Sequence, residues 1–231
     1  MAKDLYKDGG YLEKNPTWHE EDAPWKADHI MKMLKAGSLS PKSVCEIGCG
    51  SGEILKQLQS RMDSDVKFCG YEVSPQAFGI CGKKANDRLQ FHLEDLTKKD
   101  GAFFDLLLVM DVVEHVEDYI GFLRDIKTKA GYKLFHIPLE ISAYEVLRRR
   151  YLETRKAYGH IHYFSKETIL DMLKDLGYEI VSYSYTSVKA DYPAKTFLSS
   201  IFKKIMRLVY GMNKDMAVRV LGGYSILILA K

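Results

Sequence analysis

The sequence has few cysteines, no long apolar run and almost no net charge, and each of these excludes a class of protein. Its four cysteines among 231 residues show no paired C-x-x-C spacing, so we interpret them as reduced packing residues. The most apolar segments, 106–110 and 226–230, are far shorter than the roughly 18 residues of a membrane span. The first ten residues lack the apolar stretch of a signal peptide, so we expect a cytoplasmic protein without integral membrane association.

The charge balance also argues against a nucleic-acid partner. Thirty-four Lys and Arg against 31 Asp and Glu leave a net charge of +3, and any basic site must therefore be local. No repeat and no low-complexity linker divides the chain. At 46% hydrophobic residues the composition predicts one globular domain with elaborations.

What the sequence does have is a regular alternation of short apolar runs with helical patterns. The runs that predict strands are 43–47, 66–72, 89–93, 105–110, 133–137, 178–185 and 224–229. Between them, apolar residues recur three or four positions apart, as in Ile54, Leu55 and Leu58. The alternation predicts βαβ units, and therefore an α/β fold whose sheet is mostly parallel and covered by helices on both faces.

The ends of the chain extend this unit. Residues 1–37 are predicted to form an N-terminal lid and a first helix that begins at Pro24 and ends at Gly37. Residues 38–231 would form the main domain, with helical inserts at 139–159, after strand 5, and at 194–221, between strands 6 and 7. Ser165 is predicted to cap the helix before strand 6.

The segment from Glu46 to Gly52, EIGCGSG, places three glycines between a predicted strand and a predicted helix. Glycines let the main chain approach a ligand without interference from a Cβ atom, at the edge where open α/β sheets bind ligands. A dinucleotide fingerprint would need a glycine at Glu53, and no G-K-[ST] follows to bind a nucleoside triphosphate. The Glu46 carboxylate would repel a pyrophosphate and attract an ammonium group, so the segment favours S-adenosylmethionine (SAM).

Three further acids lie at or just after the ends of predicted strands. Glu72 lies 24 residues after Gly48, near the roughly 20-residue offset at which a carboxylate accepts the ribose hydroxyls of a nucleoside. Asp95 can accept from an adenine amino group, and Asp111 is expected to face the same crevice. One such acid would ordinarily be a solvated loop carboxylate, but an ordered set at successive strand ends predicts a nucleoside site.

These motifs resemble those of class I SAM-dependent methyltransferases over residues 44–140, and more loosely at 163–165 and in the last strand. The resemblance is carried by E-x-G-x-G-x-G from Glu46, GYEVS at 70–74, EDL at 94–96 and FDLLLVMDVVEHV at 104–116. It implies a Rossmann-like seven-stranded sheet with an antiparallel last strand, SAM as cofactor and S-adenosylhomocysteine (SAH) as product. The cofactor-binding residues it implies are Glu46, Gly48, Cys49, Gly50, Gly52, Glu72, Val73, Asp95, Leu96 and Asp111. Residues 15–25 resemble a group of small bacterial methyltransferases.

Methyl transfer to an alcohol needs a base, and histidine is the natural one. His115 follows the fourth strand, where a substrate can reach it, although it could equally bond only to the backbone of its own turn. In an extended stretch His160 and His162 would point to one side, as a base and its orienting partner, with a structural role as the open alternative. The pair could also bind a metal, but no third ligand is spaced to join it, so we expect none.

The candidate substrate-binding residues are Trp18, His19, His136, Arg148 and Arg149. Trp18 and His19 lie in a polar segment that contains prolines, and this segment predicts a lid over the cofactor. The alternative is that the tryptophan only anchors the N-terminus to the core. His136, near the end of the fifth strand, could instead be packing. The two arginines would clamp a phosphate on the acceptor, although part of the run 148–150 should be solvated because consecutive residues do not share a helix face.

The segment after Pro193 predicts an amphipathic helix. Its apolar positions are Phe197, Leu198, Ile201, Phe202, Ile205, Leu208 and Val209. We expect this face to pack on the sheet and to form a wall of the acceptor site, ahead of a dimer contact or docking to an anionic membrane.

Together these features predict a SAM-dependent methyltransferase, monomeric or homodimeric, that acts on a small acceptor. We expect the acceptor to be anionic or nucleotide-linked and to be methylated at oxygen. The alternatives are an RNA methyltransferase, which the low charge and the lack of an RNA-binding module disfavour, and a non-catalytic SAM-binding subunit.

Overall fold

A sheet lies at the centre of the chain in the computed structural model, which describes Asn15, residues 17–191 and residues 197–231. In these residues seven strands pair in the order β3-β2-β1-β4-β5-β7-β6. The strands are β1 Ser43–Ile47, β2 Lys67–Tyr71, β3 Leu89–His92, β4 Phe104–Met110, β5 Ala130–Leu139, β6 Ile180–Thr186 and β7 Tyr224–Ala230. Only β7 is antiparallel to its neighbours. The predicted Rossmann-like sheet with an antiparallel last strand is thereby confirmed.

Helices connect the strands and cover both faces of the sheet. They are α1 Ala23–Ala36, α2 Glu53–Gln59, α3 Pro75–Cys81, α4 Tyr119–Lys127, α5 Ala143–Leu147, α6 Tyr151–Tyr158, α7 Lys166–Asp175, α8 Val188–Asp191, α9 Phe197–Met212 and α10 Lys214–Leu221. Pro24 lies in the first turn of α1 and Gly37 caps its end. Ser165 forms a capping box with Thr168 at the start of α7, as the sequence predicts.

Two apolar layers hold the helices against the sheet. Along β1 and β4 alternate side chains enter opposite layers, with Val44 and Leu106 on one face and Cys45 and Leu107 on the other. Helices α1 and α2 pack on the first layer, and α4, α7 and α10 pack on the second. All four cysteines are free thiols, as expected.

Strand β5 is longer than predicted at both ends. Proline lacks an N–H donor and usually ends a strand, so the sequence predicts an end before Pro138. In the structure β7 pairs with β5 from Lys133 through Pro138 to Leu139, and β4 pairs with its first residue, Ala130. The extra length carries the end of β5 to the same edge as the start of β7.

The predicted inserts are helical. Helices α5 and α6 follow β5, and α9 and α10 lie between β6 and β7. Residues 194–196 of the second insert, and residues 1–14 and Pro16 of the predicted lid, lie outside the described residues. Among the described residues, every helix is too short or too polar to pass through a lipid bilayer.

The apolar positions of α9 divide between two faces, where the sequence predicts one. Phe202 and Val209 pack against the core beside the buried Met206. Ile205 and Leu208 remain 47% and 66% exposed. The side chains of the predicted Phe197 and Leu198 lie outside the described residues.

Candidate functional site

The three glycines between β1 and α2 adopt left-handed backbone conformations. Their φ angles are 66° at Gly48, 54° at Gly50 and 73° at Gly52. A Cβ at Gly48 would lie 2.8 Å from Val112, and one at Gly52 would lie 2.6 Å from the Phe91 ring. Only glycine fits at both ends of the loop, whereas Gly50 faces a looser space in which the nearest atom, on Trp18, would be 3.6 Å away.

Glu46 ends β1 beneath this loop with 1% of its surface exposed. One of its carboxylate oxygens is buried with no hydrogen-bond partner among the described residues. Burial raises the pKa of Glu46 well above its usual value, more than the charge of Lys26 lowers it. A buried acceptor without a donor suits a ligand that brings an ammonium group, so the site fits SAM.

Cys49 contributes only its main chain to the loop. Its thiol points toward Gly70 and away from the ligand edge, since a Cβ at Gly70 would lie 2.8 Å from the sulfur. The thiol therefore belongs to the apolar layer that also contains Cys81.

Glu72 ties the end of β2 to the glycine loop. Its Oε2 accepts a hydrogen bond from the Gly50 N–H at 2.8 Å, and its Oε1 accepts from Val73 and Ser74, each at 2.8 Å. Burial raises the pKa of Glu72, although these three N–H groups oppose the shift. Oε1 already accepts two bonds, whereas Oε2 accepts one and keeps acceptor capacity for a ribose hydroxyl. The Val73 side chain beside it is 54% exposed.

The next predicted cofactor residues follow β3. The Asp95 Oδ1 accepts from the N–H of Thr97 at 3.0 Å and from its hydroxyl at 2.6 Å, which caps a short helical turn at Leu96–Lys98. The Leu96 side chain is fully buried, so only its main chain can face a ligand. Asp95 retains its Oδ2 for an adenine amino group, beside Lys98 at 3.5 Å.

Asp111, the last of the predicted cofactor residues, differs from Glu72 and Asp95 because side chains, and not main-chain N–H groups, satisfy its carboxylate. Its carboxylate bridges Lys26 of α1 and His136 of β5, each at 2.6 Å. Burial raises its pKa, but the charges of His136 and Lys26 outweigh burial and hold the pKa well below the usual value. The left-handed backbone of Asp111, with φ 55°, directs the carboxylate to these partners.

His136 is likewise part of the interior. It is 4% exposed, and its Nε2 lies 2.9 Å from the Thr186 hydroxyl while its Nδ1 faces Asp111. The predicted contact with substrate is therefore replaced by a buried chain of contacts from Lys26 through Asp111 and His136 to the end of β6. Strand alternation turns the imidazole inward, which is the packing alternative that the sequence left open.

The segment 17–22 lies across the glycine loop. Trp18 is the residue nearest to the open side of Gly50, and the His19 ring contacts the Tyr158 ring with centroids 5.7 Å apart. Glu20 accepts from the Lys84 ammonium at 2.5 Å, and the same ammonium reaches Glu53 at 2.9 Å. These contacts hold the segment between α6 and α2, in the position that a lid would need.

A second polar cluster follows β4. Glu114 is fully buried, and neither carboxylate oxygen has a hydrogen-bond partner among the described residues. Beside it, the His115 and His160 rings meet edge to face with centroids 4.9 Å apart. One potential ligand atom from each of the three residues lies within 4.8 Å of the others. Burial raises the pKa of Glu114 well above its usual value and lowers that of His115 to about 4.

Both imidazoles of this cluster are oriented by a second contact. The His115 Nδ1 lies 3.3 Å from the Gly159 carbonyl, and the His160 Nδ1 lies 2.9 Å from the Glu140 carboxylate at the end of β5. The main-chain N–H groups of Ile161 and His162 donate to the Glu114 carbonyl. The chain that leaves α6 is thereby fixed against the turn that follows β4.

His162 lies apart from this pair, although the sequence predicts that it shares a side with His160. Its ring packs on Tyr119 with centroids 4.7 Å apart, and its Nε2 approaches the Glu117 carbonyl at 3.2 Å. Residues 159–164 form no strand, so the alternation on which the prediction relied does not apply.

The predicted phosphate clamp is not assembled. Arg148 and Arg149 are both exposed, and the Arg148 guanidinium stacks on Tyr144 at 5.7 Å. Arg149 takes a left-handed conformation, with φ 53°, at the corner between α5 and α6. This turn directs the arginine run to the surface of the insert.

A cavity of about 190 Å³ lies at the same edge of the sheet, where β6 ends and β7 begins. It is lined by His29, Tyr185, Thr186, Ser187, Asp191, Arg207, Tyr210 and Tyr224. The rings of Tyr210 and Tyr224 stack 5.5 Å apart at 9°. Arg207 and Tyr210 come from α9, the helix of the second insert that the sequence predicts to line the acceptor site.

One family of known proteins matches most of the chain. A family model described as a methyltransferase domain matches residues 18–183, which include the glycine loop, Glu72, Asp95 and the histidine cluster. The chain belongs to the methyltransferase-domain family. It is a class I SAM-dependent methyltransferase.

Known relatives match this methyltransferase over part of their length. A ubiquinone biosynthesis O-methyltransferase of Actinobacillus pleuropneumoniae serotype 5b (strain L20) is 27% identical over 128 residues, 48% of this chain and 53% of the relative. A protein of the same name from Paraburkholderia phymatum is 29% identical over 114 residues, 44% of this chain and 47% of the relative. This methyltransferase thus spans about half the length of the relatives it matches.

Solved structures show the fold. The plantazolicin methyltransferase BpumL, solved with a desmethyl analogue and SAH, has a TM-score of 0.65 at 15% identity and covers 99% of this chain and 92% of its own. The magnesium protoporphyrin IX methyltransferase of Synechocystis PCC 6803, solved with SAH, has a TM-score of 0.59 at 17% identity, covering 90% and 81%. At these identities the likeness extends to the architecture alone.

Proposed function

We propose that this methyltransferase transfers the methyl group of SAM to a hydroxyl oxygen of a small, anionic acceptor. The observation that carries the proposal is the cluster of Glu114, His115 and His160 at the carboxyl ends of β4 and β5, beside the glycine loop. A hydroxyl must lose its proton as its oxygen is methylated, and this cluster offers buried acceptor atoms where that proton leaves.

The residues of the first half of the sheet would hold the cofactor. The orphaned oxygen of Glu46 receives the ammonium group, Glu72 accepts from the ribose hydroxyls, and Asp95 accepts from the adenine. Bound SAM supplies a methyl carbon on a positive sulfur, and its C–S bond breaks as the acceptor O–C bond forms, leaving neutral SAH. The proton of the hydroxyl passes to the buried cluster.

The acceptor body is proposed to occupy the tyrosine-lined cavity. Tyr224 pairs with Leu139 in the sheet, so this cavity begins one residue from Glu140, the partner of His160. Tyr210 and Tyr224 present ring surfaces suited to an aromatic or apolar body, and Arg207 supplies positive charge for an anionic group. The O-methyltransferase name of the partial relatives supports oxygen as the methylated atom.

Segment 17–22 is proposed to act as the lid. Trp18 lies over Gly50, and the ion pair of Glu20 with Lys84 holds the segment down. Exclusion of water would favour an in-line displacement, because catalysis of methyl transfer depends mainly on positioning.

The test is to incubate the protein with SAM and matched pairs of small aromatic carboxylates that carry either a hydroxyl or an amine at the same position. We expect SAH to form with the hydroxyl compounds and mass spectrometry to locate the new methyl on oxygen. His160→Ala should lower turnover by about 10²- to 10⁴-fold with little change in SAM affinity. His162→Ala is the matched control, because His162 is two residues along the chain from His160 and its ring packs on Tyr119. Its turnover should stay within about threefold of wild type. Methylation of the amines alone would refute the proposal.

A further inference from the structure

The buried carboxylate of Glu114 has no role within the fold that accounts for its position. It is 0% exposed, and both of its oxygens lack a hydrogen-bond partner in the described part of the chain. Native proteins rarely leave a buried carboxylate in this condition, because burial without compensation costs several kcal/mol for a charged group. We propose that Glu114, His115 and His160 bind one divalent transition-metal ion.

The histidines carry the second observation. Metal-binding imidazoles almost always donate their other N–H to a carboxylate or a backbone carbonyl, which fixes the tautomer and the ring orientation. His160 has the Glu140 carboxylate 2.9 Å from its Nδ1, and His115 has the Gly159 carbonyl 3.3 Å from its Nδ1. With the proton on Nδ1 as donor to these oxygens, Nε2 is the ligand nitrogen of each ring. The His115 Nε2 lies 4.0 Å from the Glu114 Oε1.

The spacing of the three groups suits a metal ion. One ligand atom from each lies within 4.8 Å of the others, and bonds of about 2.0–2.2 Å place ligand atoms about 3–4 Å apart. Binding an ion would therefore draw these atoms about 1 to 2 Å closer together. Two imidazole nitrogens and one carboxylate oxygen select zinc, manganese, iron or cobalt over calcium, which prefers oxygen ligands alone.

The fold supplies the third ligand, which the sequence pattern does not contain. His115 and Glu114 are adjacent, but His160 reaches them only because α5 and α6 fold back and the N–H groups of residues 161 and 162 bond to the Glu114 carbonyl. A three-residue site of this kind leaves open coordination positions. On the proposed function, on which this step rests, the hydroxyl oxygen of the acceptor occupies one of them. Because the histidine lone pairs are then bound to the ion, the hydroxyl proton passes to water and not to the histidines, and coordination lowers the hydroxyl pKa.

The experiment measures metal binding directly, without an acceptor. The full chain is stripped with EDTA and titrated with Zn²⁺ by calorimetry and with Co²⁺ by visible absorption. We expect one ion per chain and a Co²⁺ spectrum typical of nitrogen and oxygen ligands. Glu114→Gln and His160→Ala should each weaken binding by more than about 100-fold, and Glu140→Gln, which removes only the partner of His160, by about 10- to 100-fold.

Two control variants separate this site from nonspecific binding. His162→Ala removes the neighbouring imidazole, and Glu117→Gln removes an exposed carboxylate three residues from Glu114; both should bind Zn²⁺ as wild type does. Circular dichroism with EDTA present checks that every variant is folded, and where Glu114→Gln fails to fold, His160→Ala carries the test. Wild-type protein that binds no stoichiometric ion, or Zn²⁺ affinity unchanged in both Glu114→Gln and His160→Ala, would overturn the proposal. A metal-binding protein that methylates no hydroxyl would refute the proposed function and leave this site standing.

Discussion

The two halves of the sheet edge are built in different ways. In the cofactor half, which comprises β1–β3 and the loops that follow them, main-chain N–H groups satisfy two of the carboxylates. Glu72 accepts from residues 50, 73 and 74, and Asp95 accepts from residue 97. In the acceptor half, which comprises β4–β7 and their loops, side chains from distant segments meet, as where Asp111 pairs with Lys26 and His136.

This difference separates two tasks. A main-chain cradle has few conformational choices and fits one invariant ligand, the cofactor. A network of side chains can be exchanged residue by residue without changing the fold, which suits the half that selects the acceptor. The comparison predicts that removing a charge from the side-chain network of the acceptor half lowers stability, whereas removing a carboxylate from the cofactor half mainly lowers cofactor affinity.

Asp111→Ala should have the largest effect on stability. It leaves the Lys26 ammonium, whose side chain is 13% exposed, without its partner in the interior. Removal of one member of a partly buried pair costs about 1 to 3 kcal/mol in the free energy of unfolding, measurable by urea denaturation. Asp63→Ala, at a side chain that is 82% exposed, is the control and should change stability by less than about 0.5 kcal/mol. Equal stability of the two variants would contradict the assigned network.

The same pair predicts an acid dependence. Its partners hold the pKa of Asp111 below the usual value, so as pH falls the unfolded chain takes up this proton before the folded chain does. The stabilisation is complete above the unfolded pKa of about 3.9 and is lost as pH falls below it. Urea denaturation across this range should show wild type losing its advantage over Asp111→Ala. An advantage that stays constant down to about pH 2 would argue against the pairing.

Glu72→Ala should mainly lower SAM affinity. Loss of the ribose acceptor, which also leaves three main-chain N–H groups of the loop without their partner, should cost about 2 to 4 kcal/mol, or about 30- to 900-fold in the dissociation constant. Calorimetric titration with SAM checks this. Glu94→Ala removes a carboxylate near the same edge that is 51% exposed and paired with Lys99, and it should leave the affinity unchanged. An unaltered dissociation constant for Glu72→Ala would remove Glu72 from the cofactor site.

Tyr224→Phe should have the smallest effect of these substitutions, and it should raise the free energy of unfolding where Asp111→Ala lowers it. The Tyr224 hydroxyl is buried without a hydrogen-bond partner in the described part of the chain, so its removal should stabilise the fold by about 0 to 1 kcal/mol at neutral pH. Burial raises the pKa of Tyr224 to about 12. The unfolded chain therefore ionises first, and wild-type stability falls as pH rises above about 10, by up to about 1.4 kcal/mol per pH unit for this group. A smaller alkaline loss in Tyr224→Phe than in wild type checks this.

The sequence predicts the glycine loop and the strand ends of the cofactor half, because the residues that determine them are close together in the chain. Gly48 and Gly52 need their positive φ within one short loop, and Glu72 comes directly after its strand. The acceptor half depends on separations that no local pattern records. Asp111 satisfies the same strand-end rule as Glu72, yet Lys26, 85 residues earlier, redirects it.

The histidine cluster shows the same limit. His160 and His162 are equivalent in the sequence pattern, and only the fold of α5 and α6 decides that His160 meets His115. Glu140 was missed although it follows directly on β5, which is the signal that identified the other strand-end acids. Glu114 was missed because a buried carboxylate without a partner has no sequence signature.

The position of β7 in the chain affects the order in which the strands of the sheet can pair during synthesis. Strand β6, at 180–186, pairs only with β7, at 224–230, so it has no neighbour in the sheet until synthesis has passed through the second insert. Domains form progressively as the chain emerges, and pairings that close long loops form slowly. On the ribosome the half that holds the cofactor can therefore assemble while the other is still open. A nascent chain halted before residue 224 would display β6 as a bare edge, open to pairing with other chains.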